Sequence, residues 1–425
     1  MGYTPSDKTS LGLTFSYLNC NQGKPPIDNA NAKDSFAKTL KYERENNAEN
    51  YSTQLAFEQG FDNPFSLKGW IFYNQLNLLQ NGYDNANYNS QAKKGAYSNN
   101  STTGIGGGNL QARYDLKEFG SATLGFMTES DDWRANGFKL QGSPVVNQSI
   151  NGRQSFQLYS SLFEYNVMPI QHLGVTLGLG LHWQDRDNGN YDDYSYLIGT
   201  YYDLFKDTRI RASNARKIRF PTISDLYDPV NGNPDLKPEE SIHYELSLEQ
   251  RLPAKTLFSL TGFYADAHNF IEQDNSTQIN ENFDKYRFKG FEVAAENRFV
   301  DNLMLKASYT YLDAKNVGSD SNVDQLQYRP RDKYTLEGNY RFSWGASLYA
   351  SVSYIGNQTY YDQTNTQSNT LPSYTLMDIK LSQSLIPNSL DVYLGARNLF
   401  DINYEQSYGL PQAGRTVYGG VEYRF

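Results

Sequence analysis

The chain has 425 residues, of which 20% are charged and 15% are aromatic, and its formal net charge is −9 at pH 7. This acidic balance, without a polybasic cluster, argues against nucleic-acid binding, and the single cysteine, Cys20, excludes an internal disulfide bond. No apolar run approaches the roughly 18 residues of a transmembrane helix. The aromatic content, led by 35 tyrosines, instead fits amphipathic strands with aromatic bands at two membrane interfaces.

The N-terminal segment, MGYTPSDKTS, has neither the basic region nor the apolar region of a signal peptide. We therefore expect export to depend on sequence outside this chain. The first predicted strand lies near 9–20 and the last at 415–425, and about eighteen strands are predicted in all.

Alternation of apolar and polar residues with a period of two is the dominant pattern of the chain. In 241–251, for example, Ile242, Tyr244 and Leu246 alternate with polar residues, and the same pattern occurs in 302–312, 345–355 and 389–397. Because successive side chains of a strand point to opposite faces, each segment has one apolar and one polar face. The predicted fold class is all-β.

The connections between the predicted strands alternate between short and long. Short turns such as 206–207, 301–302 and 344–345 alternate with long polar segments. Short turns on one rim and long loops on the other are typical of a transmembrane antiparallel β-barrel. In a soluble β-sandwich, short and long connections are not expected to be separated between the two ends in this way. The long segments fall near 21–48, 81–103, 131–150, 220–238, 315–329 and 362–370.

Three further patterns suggest chemistry, but simpler interpretations are favoured. The glycine-rich stretch 104–108 leads into a strand, whereas a phosphate loop must lead into a helix, so a strand entry or bulge is expected. The acidic segment 185–193 could offer oxygens to calcium, but its spacing fails the EF-hand pattern, which favours a solvated loop. The histidines lack zinc or catalytic spacing, so no cofactor, metal site or enzyme activity is expected.

Arginines follow one another along the segment before the loop at 220–238. Arg209 and Arg211 occupy the polar face of their strand, and Arg216 and Arg219 approach its outer end. A guanidinium can bind a carboxylate or phosphate with two parallel hydrogen bonds, which would suit an anionic iron chelate. Arg216 and Arg219 are therefore the candidate ligand-binding residues. The alternative is ion pairing with acidic residues of neighbouring strands.

Four motifs carry a resemblance to a known family. Residues 209–248 read RIRASNARKIRFPTISDLYDPVNGNPDLKPEESIHYELSL, and YRFKGFEVAAENRFVDNLMLKASYTYLDA, YRPRD and YLGARNLFDINYEQSYGLPQAGRTVYGGVEYRF follow in order. These segments resemble the "A-x-x-x-R-x-P", "N-P-x-L-K-P-E", "G-x-E", "N-L-F-D-x-x-Y" and "P-x-x-G-R" motifs of the TonB-dependent outer-membrane receptors. The N-terminal half contains none of these motifs and shares with the family only the general pattern of alternating strands joined by long loops.

The resemblance implies a barrel of the Gram-negative outer membrane that takes up a scarce nutrient, such as a ferric siderophore or cobalamin. Its partners would be outer-membrane lipid and the TonB–ExbB–ExbD system, which acts through a plug. Transporters of this class have 22 strands and a plugged lumen. We expect residues 1–425 to form one receptor-like barrel without the plug and the first strands. A passive porin is the alternative function.

The chain ends in GRTVYGGVEYRF, with an apolar or small residue at every second position. This alternation predicts a closing strand in which Val417, Val421, Tyr423 and Phe425 face lipid. The resemblance implies that Val421, Tyr423 and Phe425 form the signal that the outer-membrane assembly machinery reads.

Overall fold

The computed structural model describes the chain except for residues 1, 29–35, 37–39, 275, 319–322, 363, 365–366 and 425. Strands of alternating pattern dominate the described residues, in agreement with the all-β prediction. The first ten are β1 Gly2–Ser6, β2 Thr9–Lys24, β3 Tyr42–Gly60, β4 Phe65–Tyr83, β5 Tyr97–Asp115, β6 Ser121–Gln141, β7 Val146–Ile170, β8 Leu173–Arg186, β9 Tyr191–Phe205 and β10 Thr208–Arg219.

A helix of five residues, α1 Ile223–Tyr227, follows β10. None of the helices in the described part of the chain is long and apolar enough to cross a membrane. The remaining strands are β11 Glu239–Leu252, β12 Thr256–Gln273, β13 Asn280–Asn297, β14 Leu303–Asn316, β15 Asp332–Arg341, β16 Ala346–Ile355, β17 Gln358–Tyr361, β18 Ser368–Leu371, β19 Tyr374–Ile386, β20 Leu390–Arg397 and β21 Thr416–Tyr423.

Nineteen strands form one sheet, in which each strand pairs antiparallel with its neighbours in chain order. Strand β16 pairs directly with β19, because β17 and β18 form a separate hairpin between them. The sheet has one strand more than the predicted eighteen, since Gly2–Ser6 pairs with β2. No ladder among the described residues joins β21 to β1, so the sheet has two edges.

The two ends of the sheet nevertheless approach each other at the rim that carries the long loops. The backbone N–H of Asp28, between β2 and β3, donates to the carbonyl of Gly409, between β20 and β21, at 2.5 Å. The rings of Phe36 and Tyr408 lie 5.8 Å apart across the same pair of loops. The sheet therefore curls around a lumen, as the barrel prediction requires.

Residues 131–150 do not form the long loop that the sequence predicted. Strands β6 and β7 continue through this range and leave only a turn at 142–145. Polar side chains there pair with one another: Asp132 bonds Arg134 of the same strand at 3.0 Å and Arg153 of β7 at 3.2 Å. The prediction was wrong because polar residues stabilise a hairpin in solvent as well as a loop. The acidic segment 185–193 consists of the ends of β8 and β9 and of the connection at 187–190, whose residues are exposed, as expected for a solvated segment.

The alternation sorts side chains onto an outward face and a lumen face. On β11, Ile242, Tyr244 and Leu246 point outward and are 36%, 52% and 61% exposed. Between β9 and β11 the lumen face carries ion pairs instead, from Arg209 to Asp203 at 2.5 Å and from Arg211 to Glu249 at 2.9 Å. The outer face is thus apolar and exposed, and the inner face carries paired charges. This distribution is the reverse of that in a water-soluble protein and is expected for a barrel wall that faces lipid.

The last strand follows the same rule. Val417, Val421 and Tyr423 are 65%, 68% and 65% exposed on the outward face. On the other face Arg424 bonds Glu422 at 2.8 Å and Asp391 of β20 at 3.0 Å. Phe425 lies outside the described residues.

Candidate functional site

The loop between β10 and β11 folds inward over the lumen face of the sheet. It begins with α1, whose first turn is closed by reciprocal hydrogen bonds between Thr222 and Asp225 at 3.0 and 3.1 Å. Leu226 is 0% exposed and Leu236 is 1% exposed, and both pack in one cluster with Phe156 of β7. This apolar cluster anchors the loop across the mouth of the lumen.

Hydrogen bonds from three neighbouring elements hold the same loop. The Arg186 guanidinium at the end of β8 donates from Nη1 and Nη2 to the Leu236 carbonyl at 3.2 and 3.1 Å. Asn188 Nδ2 donates to the Pro234 carbonyl at 2.8 Å. Asn282 of β13 accepts from the Lys237 backbone N–H at 2.8 Å and donates to the Lys237 carbonyl at 3.0 Å. The "NPDLKP" segment therefore shapes this loop.

The two predicted ligand-binding arginines lie on opposite faces of β10. Arg219 is on the lumen face, where it bonds Glu239 at 2.6 Å and Asp225 of α1 at 3.1 Å. Its Nε and Nη2 atoms donate to the two carboxylate oxygens of Glu239, at 2.7 and 2.6 Å, so the pair is bidentate. Arg216 is three residues away and faces outward beside the Tyr194 ring, 4.2 Å from its centroid.

The Arg216 guanidinium is also ion-paired, with Asp193 at 2.6 Å and with Glu240. The structure thus shows the alternative that the sequence left open, in which the arginines of β10 pair with neighbouring carboxylates. It does not bring Arg216 and Arg219 together, and a ligand role for them stays a prediction.

A cleft of about 340 Å³ opens between this loop and the upper part of the β6–β7 hairpin. One wall is Trp133, whose ring lies against Gly152, at 3.2 Å from the position that a Cβ would occupy. Tyr227 forms part of the other wall, and burial raises the pKa of its hydroxyl. Gln154 and Lys139 also line the cleft, and within the described residues no side chain hydrogen-bonds either of them.

Below the mouth, a cavity of about 1280 Å³ runs along the lumen faces of β3 to β10. Charged side chains line it, among them Lys68, Arg113, Glu129, Glu164 and Lys217. His182 projects into it between the hydroxyls of Ser160 and Ser195, at 2.8 Å from each. Among the described residues, no group of three or more histidine, cysteine or acidic side chains could hold a metal ion.

A second loop, between β14 and β15, also folds inward. Leu326 packs there with Ala314, Ala267 and Tyr286 in a buried cluster. Beside it, the Tyr360 ring stacks between other rings, with centroids 6.2 Å from Tyr328 and 4.8 Å from Tyr408. Only 4% of Tyr360 is exposed, so its ring belongs to the packed interior of this loop cluster.

Sequence reasoning missed the residues that build the mouth. Trp133 and Phe156 lie on faces that the alternation marks as polar, so each is an apolar exception on a lumen face. Such exceptions are a usable signal, because a large apolar side chain facing the lumen needs a covering partner. Here the partner is the loop that carries Leu226 and Leu236.

Comparisons with known proteins agree with this geometry. A family model described as "TonB dependent receptor-like, beta-barrel" matches residues 2–399. The vitamin B12 transporter BtuB of Photobacterium profundum is 31% identical over 251 residues, covering 56% of this chain and 39% of that protein. The chain thus spans less than half of the length of this curated relative.

Solved structures share the fold at lower identity. The copper transporter OprC superposes with a TM-score of 0.79 at 16% identity, over 100% of this chain and 70% of that one. The siderophore receptor PiuA from Acinetobacter baumannii gives a TM-score of 0.76 at 15% identity, over 98% and 72%. The ferric-catecholate import receptor Fiu from E. coli K12 gives 0.74 at 13% identity, over 100% and 73%.

Proposed function

The chain belongs to the TonB-dependent receptor-like β-barrel family, and from that premise we propose that it forms the barrel of a receptor for a scarce nutrient. Proteins of this family are β-barrels of the Gram-negative outer membrane, so the exposed apolar face of the sheet contacts lipid. The observation that carries the proposal is the family match together with the inward-folded loop at 220–238, which narrows the mouth as a selective receptor requires.

The nutrient that we propose is cobalamin or a ferric siderophore. The relative that is named a vitamin B12 transporter supports cobalamin as the ligand. The structural neighbour that is named a siderophore receptor supports a ferric siderophore. The mouth cleft suits a ligand with an apolar surface and polar edges, since it combines the rings of Trp133 and Tyr227 with the amide of Gln154.

Arg216 and Arg219 are proposed to act in this binding as positioning residues. Both guanidiniums are ion-paired with carboxylates, so their charge is already balanced within the protein. Arg219 connects the end of β10 to α1 through Asp225, and thereby sets the orientation of the loop that forms one wall of the cleft.

We further propose that a plug and additional strands complete the barrel. A closed antiparallel barrel of this membrane has an even number of strands, and transporters of the class have 22, whereas this sheet has 19. The chain covers 70% of the copper transporter's length, which leaves room for such a segment. Release of the ligand through the lumen would then be driven by the TonB–ExbB–ExbD system. Because this uptake forms no covalent bond, no catalytic residue is assigned. No comparison supports the porin alternative.

Ligand binding to the purified full chain in detergent tests this proposal. Equilibrium dialysis with cyanocobalamin and with a ferric catecholate should show saturable binding of one of them. Replacing Trp133 by alanine removes a ring from the cleft wall and should weaken that binding about tenfold. Trp183→Ala is the matched control, because Trp183 is 39% exposed on the outward face. Absence of saturable binding, or equal affinities of wild type and Trp133→Ala, would contradict the proposal.

A further inference from the structure

A row of cationic side chains lies on the outward face of β13 and its neighbours. It consists of Lys285, Arg287 and Lys289 of β13, Lys315 of β14 and Arg331 just before β15; together these form the outer basic patch. For the residues of β13 and β14 the common orientation follows from the strand register, because Arg287 is directly opposite Lys315, and Lys289 is directly opposite Asp313. Arg331 lies before β15, and its guanidinium is on the same face because it bonds the Tyr311 hydroxyl. Residues directly opposite in a ladder point to the same face.

An aromatic band lies immediately below the patch on the same face. Phe291 follows Lys289 by two residues and stacks on Tyr311, with ring centroids 5.6 Å apart. Tyr309 stacks on Tyr334 at 4.4 Å. Aromatic rings of this kind mark the interface of the bilayer, and two residues of strand span roughly 7 Å. The outer basic patch therefore lies at the level of the lipid headgroups.

The apolar part of the wall continues directly beneath this band. Leu305 and Leu336 face outward there and are 42% and 54% exposed. The order along the wall is thus apolar side chains, then aromatic rings, then cations. Because the long loops lie at this rim, the cations meet the outer leaflet of the membrane.

The charges of the patch are only partly neutralised within the protein. Asp266 is shared by Lys285 at 2.9 Å and Arg287 at 2.8 Å, and Asp313 is 3.5 Å from Lys289. Asp332 lies on the same face beside Arg331, so three carboxylates stand against the five cations of the patch, and cations exceed carboxylates there although the whole chain carries a net charge of −9.

Two members of the patch form no salt bridge or hydrogen bond with a carboxylate among the described residues. The Arg331 guanidinium donates only to the Tyr311 hydroxyl, at 3.2 Å from Nε and 2.6 Å from Nη2. Lys315 is exposed, and within the described ranges its ammonium contacts no acceptor. Unpaired donors at headgroup level are the groups that an anionic headgroup would bind.

We propose that the outer basic patch binds the phosphate groups of an anionic glycolipid in the outer leaflet. Lys315 and Arg331 provide the free donors, and Lys289 is the most exposed cation of β13, with 54% of its side chain accessible. This binding concerns the lipid that surrounds the barrel and is independent of the transported ligand.

Native mass spectrometry of the purified full chain tests this proposal, with diphosphorylated lipid A and its dephosphorylated form as probes. The wild-type chain should retain the phosphorylated lipid and not the dephosphorylated one. The triple variant Lys289→Gln, Lys315→Gln, Arg331→Gln should bind it about tenfold to a hundredfold more weakly. Lys315→Gln alone should have a smaller effect in the same direction, and this variant disturbs no contact of the fold.

Lys333→Gln is the matched control, because Lys333 is exposed and lies two residues from Arg331 but on the lumen face, and it should bind as the wild type does. Equal retention of both lipids, or unchanged affinity of the triple variant, would overturn the proposal. Saturable binding of inorganic phosphate in calorimetry, without retention of the lipid, would show a site for the free anion and would also overturn it.

Discussion

Gly290 is the glycine of the "G-x-E" motif, and its surroundings explain why this position requires a glycine. A Cβ built there would lie 2.0 Å from the carbonyl oxygen of Tyr311 and 2.8 Å from Cζ of Phe263. The backbone of β13 therefore approaches β14 too closely for any side chain. The requirement comes from this close approach between strands.

Replacing Gly290 by alanine should destabilise the folded barrel by about 1–3 kcal/mol, because overpacking must displace backbone and not only a flexible side chain. The midpoint of urea unfolding in detergent measures this loss. Gly262→Ala is the matched control: Gly262 lies in β12 opposite Phe291, and a Cβ there would have no atom within 4 Å. Equal midpoints for the two variants would show that the clash is relieved at no cost.

The alternation of side chains along a strand also decides whether two residues can contribute to the same site. Arg216 and Arg219 are three positions apart on a regular strand, so they must point to opposite faces. Predicting them as a joint ligand site therefore conflicted with the period-two pattern on which the fold prediction depended. Arg209 and Arg211, two positions apart, do share the lumen face.

At the scale of elements, the terminal strand β21 pairs along its length with β20. Val421 is opposite Val392, and Tyr423 is opposite Leu390, so the outward row of the two strands is apolar. We propose that Val421 and Tyr423 of this row, together with the terminal residue Phe425, are the signal that the assembly machinery reads, as the resemblance implied.

Deleting Phe425 should reduce membrane insertion several-fold, because the signal loses its terminal aromatic ring while the ladder of β20 and β21 is unchanged. The fraction of chain that migrates as a heat-modifiable folded band measures the effect. Phe425→Tyr keeps the ring and should insert like the wild type. Normal insertion of the deletion variant would count against an assembly role.

The long hairpin of β6 and β7 is stabilised differently on its two faces. Its upper half is polar, and it was predicted to be a loop, yet both strands continue to the turn at 142–145. Cross-strand pairs such as Asp132 with Arg153 satisfy the polar side chains on the outer face. On the inner face Trp133 packs against the loop at 220–238. The hairpin and the loop therefore form the mouth together.

At the scale of the whole molecule, a sheet with two edges and an open lumen cavity is expected to bind but not to gate. Gated uptake requires a plug that moves under the action of TonB, and the lumen cavity of about 1280 Å³ provides space for one. The loop at 220–238 narrows the outer mouth only, since its anchors lie at the ends of β8 and β13.

This chain, expressed alone in a strain that lacks its own cobalamin and siderophore receptors, should therefore not restore growth that depends on either nutrient. A growth curve in limiting nutrient measures this outcome, and a complete receptor serves as the positive control. Outer-membrane fractions must contain the heat-modifiable chain, so that failed assembly is not mistaken for failed transport. Restored growth would contradict the requirement for a plug.

Much of this molecule is determined by its sequence alone, because the responsible patterns are local. Alternation within each strand predicts the two faces, and turn residues separate the strands, so an antiparallel barrel of about eighteen strands was predictable. The four motifs indicated the family, which the match over residues 2–399 confirms.

The tertiary structure alone decided which loops fold inward, which charges pair and which residues form the mouth. Arg186 bonds the Leu236 carbonyl 50 positions later in the chain, and Asp28 contacts the loop of Gly409 at the opposite end of the sheet. Such contacts depend on the curvature of the sheet and on the register of many strands together. No local pattern of residues encodes them, and they decide where a ligand or a lipid can bind.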